Sequence, residues 1–382
     1  MNLMWGIIFG AMIAGTVAGA VFLWTRFCKF GIVKKISGGR KWLQRLIGLI
    51  PMVILGIFMI FDPINTAVVI VHASCYWAVA ELIAFLIRKI SAGKETENDP
   101  EGAKDEKTQG FQIYRVGIIV LCIEIAYFSA GWYFANNVWE KDYQLETTKD
   151  LGMERLRIAQ ITDSHIGTTF DGEGFAAHLR TIQTTKPDIL VITGDFVDDG
   201  TSMEDLLISC AALRDFECPY GKYFVYGNHD KGYYKHDFSV EELEAALEYG
   251  GVKVLQDEVA LINDSIYIVG RQDKSTKNRV EIEKIVSLLD PSKYIIILDH
   301  QPNDYDAEAA AGADLVLSGH SHGGQLIIIR LVGALIGTND RTYGIETRDK
   351  TTFIVSSGIS DWEFRFKTGT RSEFCVIDVT HK

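Results

Sequence analysis

Four apolar stretches, residues 3–24, 43–61, 64–87 and 113–139, constrain this chain more than anything else in it. Crossing the hydrocarbon core of a bilayer takes roughly 20 residues in a helix. A backbone in hydrocarbon must also satisfy its own hydrogen bonds, so helices are the form such stretches take there. The third stretch carries His72 and Glu81, and the fourth carries Glu124. Ionisable side chains at that depth are costly unless they are paired or face a polar interior. They read either as an ion or proton path or, as the commoner solution, as hydrogen bonds between the helices of a small bundle.

The loops orient these spans. Residues 26–45 hold seven Lys and Arg and no acid, which places the first loop in the cytoplasm. Residues 88–115, two crossings later, fall on the same side; their six bases and six acids add no contrary bias. The fourth span then delivers everything after about residue 140 to the outside. A cleaved leader is the rival reading of the first stretch, because Ala18-Gly19-Ala20 resembles a cleavage site. A leader carries its bases before the apolar core, however, and here they begin only at Arg26. The expectation is a multi-pass protein of the cell membrane with an extracytoplasmic C-terminal domain.

Charge divides the chain at the same place. Residues 1–139 carry a net +4, and residues 140–382, with 25 Lys and Arg against 41 Asp and Glu, carry −16. An acidic domain without a cluster of bases repels polyanions, so nucleic acid is excluded as a partner. Cys210, Cys218 and Cys375 are the three thiols of the rear part, too few for a disulfide framework, and read as free and buried. Three regions are expected: a four-helix transmembrane region over 1–139, a juxtamembrane linker over 140–154, and a rear domain over 155–382.

From about residue 155 short apolar runs alternate with amphipathic stretches, the pattern of an α/β domain. Strands are expected at 156–162, 188–193, 222–226, 253–255, 266–269, 294–298, 314–317, 326–329, 352–356 and 374–379, and helices near 174–185, 203–213, 240–249 and 280–288. Residues able to bind metal follow five of these strands at once: Asp163-Ser164-His165, Gly194-Asp195, Gly227-Asn228-His229-Asp230, Asp299-His300 and Gly319-His320-Ser321-His322. In an open α/β sheet the carboxyl ends of the strands line one crevice, so the five motifs converge there. Five of the nine histidines stand at these strand ends, whereas His72, His178, His236 and His381 do not. The glycines before the ligands, Gly194, Gly227 and Gly319, allow a sharp turn and a close backbone approach. Gly323-Gly324 reads either as a phosphate-facing pair of N–H groups or as a simple turn.

Imidazole and carboxylate ligands suit Mn, Zn or Fe. The amide oxygen of Asn228 and the lack of a closed Cys set argue for a site that keeps open positions rather than a structural zinc. The candidates are too many for one ion and suit two ions sharing a carboxylate, the arrangement that clamps attacking and leaving oxygens in phosphoryl transfer.

These blocks, in this order over residues 163–322, resemble the calcineurin-like metallophosphoesterase superfamily, and the resemblance covers roughly residues 155–380. The stretches 298–302, 319–325 and 369–373 look like its membrane-associated bacterial branch, some of whose members act on lipids. The resemblance implies two packed mixed β-sheets flanked by helices. It implies that Asp163, His165 and His322 hold one divalent transition-metal ion, that Asn228, His300 and His320 hold a second, and that Asp195 bridges them. It further implies hydrolysis of a phosphoester or pyrophosphate by a metal-bridging hydroxide, since such ions lower the pKa of water from about 15.7 toward 7. His229 would give a proton to the leaving oxygen, with Asp230 orienting its ring; a plain loop-capping carboxylate is the other reading of Asp230.

Substrate signals are fewer. The apolar run 326–336, broken by Arg330 and Gly333, and the trio Trp362, Phe364 and Phe366 read as an apolar lip facing the bilayer or, by their spacing of two, as one face of a packed strand. Arg365 and Arg371 read as partners for a phosphate or headgroup, or as surface charges. A membrane anchor favours a lipid or lipid-linked substrate. Two other classes stay open, a membrane transporter or sensor regulated by its rear domain and a non-catalytic binding module, and the oligomeric state is open as well.

Overall fold

The computed structural model describes residues 3–95, 114–231, 237–337 and 339–382, and the chain divides into two compact units, Met1–Ser129 and Ala130–Lys382. The charge run after Glu95 and His236 lie outside the described residues.

The first unit is helical: α1 (Leu3–Phe27), α2 (Gly31–Ile36), α3 (Lys41–Gly48), α4 (Ile50–Phe61), α5 (Pro63–Glu95) and most of α6 (Arg115–Asn136). Among the described residues four helical segments are long and apolar enough to cross a bilayer: Gly10–Phe27, Lys41–Phe61, Pro63–Ile90 and Arg115–Asn136. They pack around Leu23, Ile70, Trp77 and Val120. The acids in these spans are paired. Glu81 accepts from Arg26 Nη2 and Lys29 Nζ, both at 2.8 Å, and from the Tyr114 hydroxyl. Glu124 meets His72 Nδ1 at 3.1 Å. This is the helix-to-helix bonding expected of a small bundle.

Helix α6 stops at Asn136 because two asparagines close it. The side chains of Asn136 and Asn137 donate back to the carbonyls of Trp132 and Tyr133, and the Asn137 N–H also reaches the Tyr133 carbonyl at 3.1 Å, so polar side chains compete for the last turn. Residues expected to form a linker then enter the sheet directly as strand β1 (Val138–Thr147), which pairs in parallel with β12 (Ser372–His381) along its whole length.

The second unit is an α/β sandwich. One sheet runs β1-β12-β2-β3-β4-β5, with β2 (Arg155–Ile161), β3 (Ile189–Thr193), β4 (Lys222–Val225) and β5 (Val252–Val254). The other runs β10-β11-β9-β8-β7-β6, with β6 (Glu258–Ile262), β7 (Ile266–Gly270), β8 (Tyr294–Leu298), β9 (Leu315–Ser318), β10 (Gly344–Arg348) and β11 (Thr351–Val355). Strand alternation builds the layers. Ile189 and Val191 join Ile296, Leu298 and Leu317 between the sheets. Leu190 and Ile192 face outward onto α7 (Gly172–Gln183), α8 (Met203–Asp215) and α9 (Val240–Tyr249). Ile295 and Ile297 face α10 (Ile282–Val286) and α11 (Tyr305–Ala311). The fold is therefore the pair of mixed sheets flanked by helices that the resemblance implies.

Two expectations change. Residues 326–329 are not a strand but open α12 (Ile327–Ile336), which ends where Gly337 turns left-handed at φ 65°. A continuous apolar run has no period to separate the two forms. The trio Trp362, Phe364 and Phe366 lies in a loop, exposed or half-buried rather than packed in a strand.

Candidate metal centre

Strands β2, β3 and β4 are mutually parallel, as are β8 and β9, so the five motifs leave the two sheets at their carboxyl ends. The turns are stitched by main-chain bonds: Asp163 N donates to Gly194 O, His165 N to Asp195 O, and Gly319 N to His300 O, all at 3.0–3.1 Å. Five ligand candidates have left-handed backbone: Asp163 (φ 51°), His165 (φ 36°), Asp195 (φ 51°), His320 (φ 68°) and His322 (φ 48°). Non-glycine residues enter that region at a cost, and a cluster of them on one crevice marks a functional site. Gly194 shares that conformation at φ 86°. Gly227 and Gly319 serve for close approach instead: a Cβ at Gly227 would overlap the Asp195 carboxylate, and one at Gly319 the Thr162 hydroxyl and Asp163 carboxylate. Both N–H groups of Gly323-Gly324 are used within the turn, on the Ser321 side chain and carbonyl, so the pair is a turn.

Among the described residues the side chains converge in three groups, two made of expected ligands and a third joining His165 to Asp198 and His229. Asp163, His165 and His322 offer ligand atoms within 4.8 Å of one another, and so do Asp195, His300 and His320. Asp195 Oδ2 reaches both sets, lying 3.7 Å from His165 Nε2 and 3.1 Å from His300 Nε2. Asn228 Oδ1 lies 3.3 Å from the same His300 nitrogen.

The far sides of two of the imidazoles are held by main-chain carbonyls. His300 Nδ1 is 2.8 Å from the Thr193 carbonyl and His322 Nδ1 3.4 Å from the Ser360 carbonyl. Since a carbonyl only accepts, each Nδ1 carries a hydrogen, and Nε2 is the nitrogen turned toward the cluster. Among the described residues, buried His165 Nε2 and His320 Nδ1 have no hydrogen-bond partner. Orphaned imidazole nitrogens facing carboxylates are what a pair of divalent ions would satisfy, and the donor set, one amide, two carboxylates and four imidazoles, fits them.

Burial, with His300 alongside, pushes His320 down to about 4, so it is a neutral ligand near neutral pH. Burial drives His322 down still more strongly. For His300 burial pulls downward but the carboxylates of Asp195 and Asp163 outweigh it, and its pKa stands well above the usual range. Loading that imidazole therefore releases a proton.

His229 is placed beside the cluster, and its orienting partner is Asp198 rather than Asp230. His229 Nδ1 lies 3.1 Å from Asp198 Oδ1, and the other oxygen of Asp198 lies 3.3 Å from His165 Nδ1. Asp230 is turned to the backbone: its oxygens accept from the N–H groups of Asp195, Phe196, Val197 and Gly227 at 2.7–3.1 Å. A carboxylate satisfied by four amides pins two loops together and has no oxygen left to steer a ring. The only sequence sign of Asp198 was its place three residues after Asp195. Two further features escaped the sequence reading. The Trp362 ring lies against the His229 ring, centroids 5.0 Å apart. Beneath it, Lys367 and Asp361, both wholly buried, form an ion pair at 3.1 Å. Arg371 stacks over Trp139 at 5.2 Å, and Arg365 is exposed.

Comparison with known proteins agrees with this geometry. The family model for the calcineurin-like phosphoesterase matches residues 156–324. An uncharacterized metallophosphoesterase of Aquifex aeolicus is 34% identical over 49% of this chain and 70% of its own length. One from Campylobacter jejuni is 30% identical over 71% of this chain and 70% of its own. A protein of Bos taurus described as a transmembrane protein with metallophosphoesterase domain is 30% identical over 59% of this chain and 53% of its own.

Proposed function

The chain belongs to the calcineurin-like phosphoesterase family and is a metal-dependent phosphoester hydrolase, and from that premise we propose that it is anchored in the cell membrane by four helices and acts on a phosphoester outside the cytoplasm. The observation that carries the reading of the site is the convergence of Asp163, His165 and His322 with Asp195, His300 and His320 on one crevice, Asp195 reaching both groups. Asp163, His165 and His322 would hold one divalent ion, Asn228, His300 and His320 the other, and Asp195 both. When bound, the ions supply Lewis acidity toward the phosphoryl oxygens and a water acidic enough to react near neutral pH.

The protein's own residues do the rest. Asp198 orients the His229 ring through Nδ1, and Nε2 is the nitrogen that would give a proton to the leaving oxygen. Burial pulls the His229 pKa down, but Asp198 and Asp195 outweigh it and keep it above the usual histidine value, suited to an acid. Asp230 holds the Asp195 and Asn228 loops in register through its four amide bonds. Trp362 closes the outer side of His229 against water. The base-rich first loop supports the extracytoplasmic placement, and the half-buried Phe364 and Phe366 beside Trp362 support a lipid or lipid-linked substrate. Mn, Zn and Fe each suit the donor set.

The test is metal content by elemental analysis together with hydrolysis of aryl phosphomonoester, aryl phosphodiester and extracted membrane lipid, with and without added manganese. Asp195→Ala and His320→Ala should lose metal and activity together. His229→Ala should keep metal and slow turnover by about 10²–10⁴. Full activity in Asp195→Ala would sink the assignment.

A further inference from the structure

Helix α12 presents an anomaly on an otherwise acidic domain. Ile327, Leu331 and Leu335 stand at i, i+4 and i+8, one stripe of the helix, and are 50%, 57% and 85% exposed. The one charged residue of the helix is turned away from that stripe. Arg330 Nη1 donates to the Gly369 carbonyl at 3.2 Å and its guanidinium sits over the Tyr343 ring.

What covers the stripe follows from where α12 begins. Ile327 N donates to the Thr368 hydroxyl at 3.2 Å, and the neighbouring Lys367 N donates to the carbonyl of Gly131 at 3.0 Å. Gly131 lies in α6, five residues before the end of the candidate span Arg115–Asn136. At 1.5 Å per residue that is roughly 8 Å from the end of the span. Next to it Trp132 and Tyr133 are 54% and 51% exposed, the aromatic pair expected where a helix leaves the hydrocarbon for the headgroups. The loop 367–369 therefore ties the start of α12 to that level of the membrane.

We propose that α12 is an interfacial helix that lays Ile327, Leu331 and Leu335 into the leaflet from which α6 emerges, with Trp132 and Tyr133 at the same depth. The occupant is the acyl-chain region of the bilayer. A domain of net −16 gains nothing from an anionic headgroup, so the contact is hydrophobic and insensitive to salt. Gln325, the last residue but one before α12, donates through Nε2 to the carbonyl of Trp362 at 2.8 Å, so the docked helix is linked to the ring that covers His229. This inference rests on the reading of α6 as a membrane span, and not on the hydrolase reading.

The test uses the full chain in nanodiscs of phosphatidylcholine. Cys28, Cys75, Cys122 and Cys218 are replaced by serine, and an environment-sensitive nitrobenzoxadiazole label is placed at Leu335→Cys or, as a control on the exposed face of α9, at Glu248→Cys. The label at 335 should emit to the blue of that at 248 and lose emission in lipid with brominated acyl chains, unchanged by added salt, while the label at 248 does not respond. A water-like, unquenched label at 335 overturns the proposal. So does its cross-linking to a second copy without quenching, which assigns the stripe to a dimer, and so does failure of the chain to stay in the disc. Hydrolysis of a soluble aryl ester by the same discs is read separately: quenching without hydrolysis supports the docking and defeats the hydrolase reading instead.

Discussion

Replacing Lys367 by methionine tests whether the loop over the metal centre is held by charge. Lys367 and Asp361 are both fully buried. The ammonium lies 3.1 Å from Asp361 Oδ1, 2.8 Å from the Ser357 carbonyl, 3.2 Å from the Ser360 carbonyl and 3.3 Å from the Ser372 hydroxyl. Methionine fills the volume of the stem but leaves the Asp361 carboxylate buried without its counter-ion, a change that costs about 3–5 kcal/mol. Asp361→Asn should cost less, since three oxygens still hold the ammonium, and the double variant should cost less than the sum of the two by about 1–3 kcal/mol. In thermal unfolding of the solubilised chain, followed by loss of aryl-esterase activity, Lys367→Met should unfold roughly 10 °C lower. Burial holds the Asp361 carboxyl above the ordinary range and Lys367 opposes this, so without Lys367 it rises further. A carboxyl that titrates higher in the fold than in the open chain binds more protons when folded, so stability falls as pH rises between the two values. The deficit of Lys367→Met should therefore be greatest at neutral pH and narrow on acidification. An additive cycle, or a deficit equal at about pH 5 and about pH 8, would refute the charge argument.

Other outcomes follow from the same site. Asp198→Asn touches His229 and a metal ligand at once, so it should lower turnover and also weaken metal affinity by about 10–100-fold, whereas His229→Ala affects turnover alone; competitive metal titration separates them. Gly319→Ala should expel metal, because the new methyl overlaps the Asp163 carboxylate, and a full metal complement on elemental analysis contradicts this. Because His300 must give up a proton to bind an ion, metal affinity should fall as pH drops, with proton release visible by calorimetry in buffers of different ionisation enthalpy. Glu81→Gln with Glu124→Gln should leave soluble-ester hydrolysis unchanged while destabilising the helical unit, since the acids serve helix pairing; loss of hydrolysis would favour the membrane bundle as the working part.

Much of the architecture was legible because its signals are local. Strands β3, β8 and β9 are largely apolar runs buried on both faces, β2 and β4 become so after their first residues, and a glycine or aspartate that turns the chain follows each within two residues. The strands missed were β1, β6 and β10, all at sheet edges. Edge strands carry charge to discourage further pairing, and residues 140–147 of β1, opening with Glu140, Lys141 and Asp142 in a row, read as part of a linker for that reason, while 138 and 139 read as the end of the fourth span. Only a partner, β12, makes it a strand.

The sequence by itself determined which residues can ligate metal, which stretches are apolar enough for a bilayer, and the order of the central strands and their flanking helices, since these depend on side-chain chemistry and on periods of a few residues. Tertiary structure decided the partnerships. Asp198 and Asp230 are alike as carboxylates beside the site, yet only the packing of β3 against β4 puts one on an imidazole and the other on four amides. Likewise the run 327–336, apolar but for Arg330, suits either form, and it became a helix because Gly337 closes it and the loop 367–369 fixes its start. Chain-neighbour effects reach a few residues; which groups meet across the fold is set by how the sheets and loops pack.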